Sequence, residues 1–114
     1  MRTVYTVAFK GNNFLMVYNP KRNGWEMPGG KIENNESVKE AAEREYLEES
    51  GYSIKIVSVK EIVGCHVCAA LLIGKIRDGE LTSKMFAELP DELAFERSEY
   101  DGVIEWARSV IRKK

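Results

Sequence analysis

The segment between Gly30 and Tyr52 carries carboxylates on the side of a predicted helix that should be apolar. At about 100° per residue, Glu45 and Glu49 fall roughly 40° apart on that helix, and Glu48 lies about 60° beyond Glu45. Apolar side chains share the same sector: Val38, Ala41 and Ala42. Three carboxylates this close repel one another in a partly dry site unless a cation neutralises them. The pattern therefore predicts a divalent metal site.

The fixed residues of this segment have the spacing of the Nudix box. They are, in order, Gly30, five residues, Glu36, seven residues, and then Arg44-Glu45-Tyr46-Leu47-Glu48-Glu49-Ser50-Gly51-Tyr52. The preceding run is also typical of that box: Trp25-Glu26-Met27-Pro28-Gly29-Gly30-Lys31. The chain therefore resembles a Nudix hydrolase, with tyrosine at both apolar positions of the box. It is similar to the small MutT-like nucleoside triphosphate pyrophosphohydrolases of that family.

The resemblance implies a set of catalytic metal ligands. Glu45, Glu48 and Glu49 would bind Mg²⁺ or Mn²⁺, and a backbone carbonyl of Gly29 or Gly30 would complete the shell. Oxygen donors on a rigid helix suit Mg²⁺, which favours octahedral oxygen coordination and usually keeps several waters. The cation would screen the charge of a diphosphate linkage so that water can attack phosphorus.

The resemblance also implies supporting roles for residues around these ligands. Arg44 is grouped with the catalytic residues because it would pair with and position a glutamate. Glu36 would anchor the loop before the helix. The predicted substrate-binding residues are Gly29, Lys31 and Glu36. Of these, Lys31 follows the double glycine and is placed to meet a phosphate.

The general base has three candidates. Glu45 would orient or deprotonate the attacking water within the box itself. Some relatives of the resembled family use a glutamate in a loop well downstream, and here that residue would be Glu80, in the turn after the fourth strand, or Glu88, before Pro90.

The activity implied by the resemblance is hydrolysis of a nucleoside diphosphate linked to another group. The chain lacks the downstream proline of ADP-ribose-type members and the tyrosine of dinucleoside polyphosphate members, which favours cleavage of a nucleoside triphosphate to the monophosphate and pyrophosphate. Hydrolysis of nucleotide sugars or capped RNA 5′ ends and non-catalytic nucleotide sensing are the alternatives. The base stays open, and candidates to stack on it are Tyr5, Phe14, Trp25 and Phe86.

Length and charge narrow the other expectations. The 114 residues predict a single Nudix domain over residues 1–114. A net charge of −1 gives no general attraction for duplex nucleic acid. No apolar run is long enough for a membrane span or a secretory signal, so we expect a cytoplasmic protein. A homodimer is an expectation from the resembled family, and the partner is a small-molecule nucleotide.

The two cysteines flank the one histidine, His66. No further cysteine or histidine completes four zinc ligands, and strand alternation places Cys65 and Cys68 on opposite faces. We therefore interpret both as reduced packing thiols.

The pattern of elements favours an α/β (α+β) fold, the Nudix-type α/β/α sandwich with a mixed β-sheet between helices. A capping box at Ser37 and Glu40 starts the acidic helix, and Gly51 ends it. Pro28-Gly29-Gly30 is expected to interrupt regular structure. Other predicted elements are strands over 3–9, 14–18, 25–27, 52–63, 67–76 and 84–89, and a helix over 100–112 with Val103, Trp106, Ala107 and Val110 on one face.

Overall fold

The structure is a computed structural model that describes residues 2–113. These residues form seven strands and two helices in the predicted order of strands, helix, strands, helix. Their bounds are β1 Thr3–Lys10, β2 Asn13–Asn19, β3 Gly24–Glu26, β4 Gly29–Lys31, α1 Val38–Ser50, β5 Tyr52–Ile62, β6 Cys65–Lys75, β7 Thr82–Phe86 and α2 Ser98–Arg112.

The strands form one mixed sheet in the order β3-β2-β1-β6-β5, with β4 added to β1 and β7 added to β2. The central pair β1 and β6 is parallel, whereas the other pairs are antiparallel. The helix α1 joins β4 to β5, and α2 follows β7. The mixed sheet between helices confirms the predicted fold class.

Alternation along β1 divides the apolar interior between the two faces of the sheet. Val7 and Phe9 pack with Ile104 and Ala107 of α2 on one face. Ala8 packs with Tyr46 of α1 on the other. Because successive strand residues point to opposite faces, one central strand supports both helices. The predicted apolar face of α2 is confirmed, since its members lie in or against the first cluster: Val103, Trp106, Ala107 and Val110.

The ends of α1 follow the predicted capping chemistry. The Ser37 hydroxyl accepts from the Glu40 amide at 3.1 Å, and the Glu40 carboxylate accepts from the Ser37 amide at 2.9 Å. Gly51 adopts the left-handed conformation at φ 83°, and its N–H donates to the carbonyl of Leu47. These local bonds fix where the carboxylate-bearing last turns begin and end.

The predicted interruption at Pro28-Gly29-Gly30 is wrong for the two glycines. Residues Gly29–Lys31 form β4, antiparallel to β1, with Gly29 opposite Tyr5 and Gly30 opposite Val4. A Cβ on Gly29 would lie 2.3 Å from the carbonyl oxygen of Val4. The glycines therefore do not break the sheet; they allow β4 to approach β1 more closely than a side chain would permit.

Smaller differences concern the later segments. The last strand, β7, lies at Thr82–Phe86, two residues before the predicted start and three before the predicted end. Both cysteines carry free thiols. Cys68 packs with Val4 on the α1 face, whereas Cys65 lines a cavity beside α2, so their predicted placement on opposite faces is confirmed. None of the described helices is long and apolar enough to cross a membrane.

Candidate active site

Arg44 connects several residues of the box through one guanidinium group. Its Nε and Nη2 donate to both carboxylate oxygens of Glu36, at 2.6 and 2.9 Å. Nη2 also donates to the carbonyl of Lys31 at 3.0 Å, and Nη1 donates to Glu45 at 2.6 Å. A planar guanidinium suits such bidentate pairing, and its hydrogen bonds lower the pKa of Glu36 to about 2. Arg44 thus connects the loop before α1 to the carboxylate-bearing face of the helix.

Glu45 lies directly against Gly30. A Cβ on that glycine would be 1.8 Å from Oε2 of Glu45, so only glycine leaves room for the carboxylate in this position. Burial raises the pKa of Glu45, although the hydrogen bond from Arg44 opposes the shift. Glu48 is more accessible than Glu45, because its side chain is two-fifths exposed. Its Oε1 lies 3.4 Å from Arg44 Nη1.

Glu49 is held by the backbone of β4. The N–H of Gly29 donates to its Oε1 at 3.1 Å. Burial raises the pKa of Glu49 to about 7, and the negative charges of Glu45, Glu26 and Glu80 add to the rise. A carboxylate that is partly desolvated among other acids gains strongly from a nearby cation.

The C-terminal end of α1 is joined to the loop between β6 and β7. The N–H of Glu80 donates to the carbonyl of Glu48 at 2.9 Å, and that of Leu81 donates to the carbonyl of Glu49 at 3.0 Å. Gly79 is packed so closely that a Cβ would lie 2.2 Å from the carbonyl oxygen of Glu49. These bonds satisfy helix carbonyls that otherwise lack partners, and they hold Glu80 near the box glutamates.

The two remaining candidate residues lie elsewhere. Glu88 lines a separate, open cavity between the segment after β7 and α2, together with Arg97 and Arg108. The side chain of Lys31 is exposed at the end of β4, while its backbone carbonyl is bound by Arg44. The structure therefore brings Glu80 to the carboxylate cluster but not Glu88.

A cavity of about 340 Å³ opens beside the two glycines. Its walls come from β1, the β3–β4 region, Cys65 and the start of α2. Aromatic and apolar side chains line much of it, and they are Tyr5, Met27, Phe95, Tyr100, Val103 and Ile104. Charged side chains also line it: Arg22, Glu26 and Glu99. Gly29 and Gly30 line the cavity and also contact Glu49 and Glu45, so the cavity and the carboxylate cluster adjoin at β4.

Glu26, Phe95 and Tyr100 are among the cavity residues that sequence reasoning missed. Of the four predicted stacking residues, only Tyr5 lines the cavity; Phe14 is a core residue. Glu26 lies in the same lead-in run as the two glycines, and its 8 % exposure is unusual for a charged residue. Phe95 and Tyr100 had no local sequence signal.

The carboxylates supply a donor set that fits Mg²⁺ or Mn²⁺. Among residues 2–113, no three acidic, histidine or cysteine side chains are already arranged around one point at ligand spacing. Glu45 and Glu49 instead face Arg44 and the Gly29 amide. The oxygen-only chemistry of the cluster matches hard divalent cations. Burial raises the pKa of Glu49, so a nearby cation would favour the charged form of this carboxylate.

The fold and this site define the chain as a Nudix protein. Residues 1–106 match the NUDIX domain. The chain therefore belongs to the Nudix family, as its box residues predicted.

Comparison with individual proteins supports the same assignment. The uncharacterised Nudix hydrolase YvcI of Bacillus subtilis is 48 % identical over 53 residues, which are 46 % of this chain and 34 % of YvcI. The chain thus aligns with about a third of that curated relative. A crystal structure of a NUDIX hydrolase from Nitrosomonas europaea has a TM-score of 0.74 at 22 % identity, covering 94 % of this chain and 69 % of that one. A MutT NUDIX hydrolase from Burkholderia pseudomallei has a TM-score of 0.61 at 23 % identity, covering 90 % and 94 %. At such identities, the two structures establish the fold alone.

Proposed function

We propose that this protein is a Mg²⁺- or Mn²⁺-dependent hydrolase of nucleoside diphosphate linkages that cleaves a nucleoside triphosphate to the monophosphate and pyrophosphate. The observation that supports this most directly is that the α1 carboxylates and the cavity of about 340 Å³ adjoin at Gly29 and Gly30. A nucleotide whose phosphates lie at the carboxylates can place its nucleoside in that cavity.

The proposed metal ligands are Glu45, Glu48 and Glu49, with a backbone carbonyl of Gly30. A bound divalent cation would screen the charge of the phosphates and lower the barrier to attack by water. The protein's own contribution is to place these carboxylates. Arg44 orients Glu45, and the Gly29 amide orients Glu49, so each donor is held before substrate arrives.

For the general base, the geometry favours Glu80 or Glu45 over Glu88. Glu80 is attached through its amide to the last turn of α1, and its charge is close enough to raise the pKa of Glu49. Either carboxylate would accept a proton from the attacking water at a side-chain oxygen. Glu88 lies in a different cavity and is not proposed.

The remaining substrate-side residues have secondary roles in this proposal. Glu36 acts through Arg44, because both of its oxygens accept from that guanidinium. The backbone of Gly29 lines the cavity. The exposed Lys31 ammonium would attract a phosphate from solvent. A single domain over residues 1–114, a homodimer, a cytoplasmic location and the lack of duplex nucleic acid binding stay predictions.

The triphosphate assignment is tested with a substrate panel. Purified protein is incubated with nucleoside triphosphates, ADP-ribose, a nucleotide sugar, a dinucleoside polyphosphate and capped RNA, with and without Mg²⁺, and the products are separated by chromatography. Metal-dependent release of a monophosphate and pyrophosphate is the expected result. Cleavage of another substrate class would replace the triphosphate assignment, whereas nucleotide binding without cleavage would indicate a sensing module.

A further inference from the structure

Glu26 is a buried carboxylate in the nucleoside cavity with no assigned function. Glu26 is 8 % exposed, and it lines the cavity together with Gly29 and Gly30. Its charge contributes to the raised pKa of Glu49, which places it near the catalytic carboxylates as well. A buried charged group of this kind needs fixed partners.

Two neighbours fix the orientation of Glu26. The Arg22 guanidinium donates to its Oε1 at 3.1 Å, and the side-chain amide of Asn19 donates to its Oε2 at 3.3 Å. Arg22 is itself held over the ring of Phe95, at 5.1 Å from the centroid. The carboxylate is therefore held by β2, the β2–β3 loop and the segment before α2.

These contacts leave acceptor capacity on both oxygens. A carboxylate offers about four lone-pair sites, and Glu26 accepts from only two side-chain nitrogens: the Asn19 amide at Oε2, and Arg22 Nη1, which lies 3.1 Å from Oε1 and 3.5 Å from Oε2. A ligand can therefore donate to Oε1 and Oε2 together. The other polar side chains of the cavity are less suited to this: the Tyr100 hydroxyl already donates to the Trp25 carbonyl at 2.9 Å, and Glu99 is exposed.

We propose that Glu26 determines base specificity by accepting two adjacent N–H groups, and that the cavity thereby selects guanine nucleotides. This rests on the proposed function of the site. Guanine presents N1–H next to its exocyclic amine. Adenine and cytosine place a ring nitrogen acceptor beside their amine, and uracil flanks its N–H with two carbonyls. A fixed carboxylate repels those acceptors, so it discriminates against the other bases as well as attracting guanine.

The sharpest test compares GTP with ITP, which differs by loss of the exocyclic amine and keeps N1–H. With Mg²⁺, we expect the wild-type kcat/KM to favour GTP by about tenfold or more, because a hydrogen bond to a charged group is worth at least roughly that factor. The difference should lie in KM. Equal values of kcat/KM for GTP and ITP in the wild-type protein would overturn the proposal.

Glu26→Gln is the matching variant, because its amide replaces one acceptor oxygen by a donor. We expect the preference for GTP over ITP to fall below about threefold, with kcat for ITP close to that of the wild type. Glu61→Gln, at an exposed position of β5 outside the cavity, is the control and should keep the wild-type preference. A similar fall in kcat for all nucleotides in Glu26→Gln would overturn the proposal and indicate a catalytic carboxylate instead.

Binding of the products separates this inference from the hydrolytic function. Calorimetry without divalent metal should show tighter binding of GMP than of IMP, and circular dichroism should show that both variants fold. If neither triphosphate is cleaved while GMP remains preferred, the hydrolysis proposal fails and base selection stands. If both are cleaved equally and GMP and IMP bind equally, base selection fails and hydrolysis stands.

Discussion

At the scale of the residue, the pairing of Arg44 with Glu36 makes stability depend on pH. The folded-state pKa of Glu36 is about 2, below its ordinary value of 4.5. A lowered folded-state pKa means that the stabilisation is complete above the unfolded-state pKa and is lost as the pH falls through about 2.

Glu36→Gln should therefore be less stable than the wild type near neutral pH, and this difference should shrink as the pH falls from about 5 to about 3. Urea midpoints measured across that range check this. Glu43→Gln is the control, since Glu43 is exposed on the same helix and forms no ion pair with any described residue. A difference that grows on acidification would contradict the assigned ion pair.

Glu49→Gln tests the metal-ligand assignment. The amide oxygen can still accept from the Gly29 N–H, so the fold should be preserved while the anionic ligand is lost. We expect turnover to fall by roughly 100-fold or more, since catalysis by a bound cation depends on anionic oxygen ligands. Steady-state kinetics together with circular dichroism measure the two effects. Full activity in a folded variant would remove Glu49 from the ligand set.

The cysteines are predicted to be dispensable for chemistry. Cys65→Ser combined with Cys68→Ser should retain nearly wild-type activity, because both thiols are free and neither belongs to a metal-ligand cluster of residues 2–113. Metal analysis of the two purified proteins provides the second readout. Stoichiometric zinc in the wild type that disappears in the double variant would contradict this interpretation.

At the scale of the element, α1 depends on the loop that binds its C-terminal end. The loop amides of Glu80 and Leu81 donate to the carbonyls of Glu48 and Glu49, and no basic side chain lies in the last turn. The negative end of the helix dipole therefore adds to the charge of the carboxylates there. Both charges would favour a bound cation.

Gly79→Ala tests this contact between loop and helix. The new Cβ would meet backbone atoms of Glu49 and Ser50 at 2.2 and 2.4 Å, so the loop must move and both hydrogen bonds are weakened. We expect a loss of roughly 1–3 kcal/mol in stability and a higher Mg²⁺ concentration for half-maximal activity. Gly74→Ala, with nothing within 4 Å of its Cβ, is the control. Equal metal dependence in both variants would argue against a positioning role for the loop.

At the scale of the whole molecule, Tyr100 joins parts of the chain that are far apart in sequence. Its hydroxyl donates to the carbonyl of Trp25 at 2.9 Å and accepts from the amide of Phe95 at 3.2 Å. The segment before α2 also bonds to β3 through the Trp25 amide and carbonyl, with Glu92 and Ala94. This network holds one wall of the nucleoside cavity against the sheet.

Tyr100→Phe removes the hydroxyl and keeps the ring. We expect a loss of about 1–3 kcal/mol in stability, because two partly buried backbone groups lose a partner. Hydrogen exchange at the Phe95 amide should accelerate more than exchange in α1. An unchanged rate at Phe95 would show that the wall is held by the backbone bonds to Trp25 alone.

Much of the site was predictable because its determinants are local. The α1 boundaries follow from Ser37, Glu40 and Gly51, which act on neighbouring backbone groups. Helical periodicity then places the box glutamates on one face. The wrong interpretation of Gly29 and Gly30 had a long-range cause, because their pairing with β1 depends on a strand more than twenty residues away.

The family, the helix that carries the carboxylates and the oxygen donors of the proposed metal site could all be read from the sequence, because spacing and capping operate over one or a few turns. The cavity that joins Glu26 to Phe95 and Tyr100, the position of Glu80 rather than Glu88 near the carboxylates, and the raised pKa of Glu49 emerge from the tertiary structure. Burial and charge at those residues are set by segments that meet only after the sheet has formed, and no local pattern encodes that meeting.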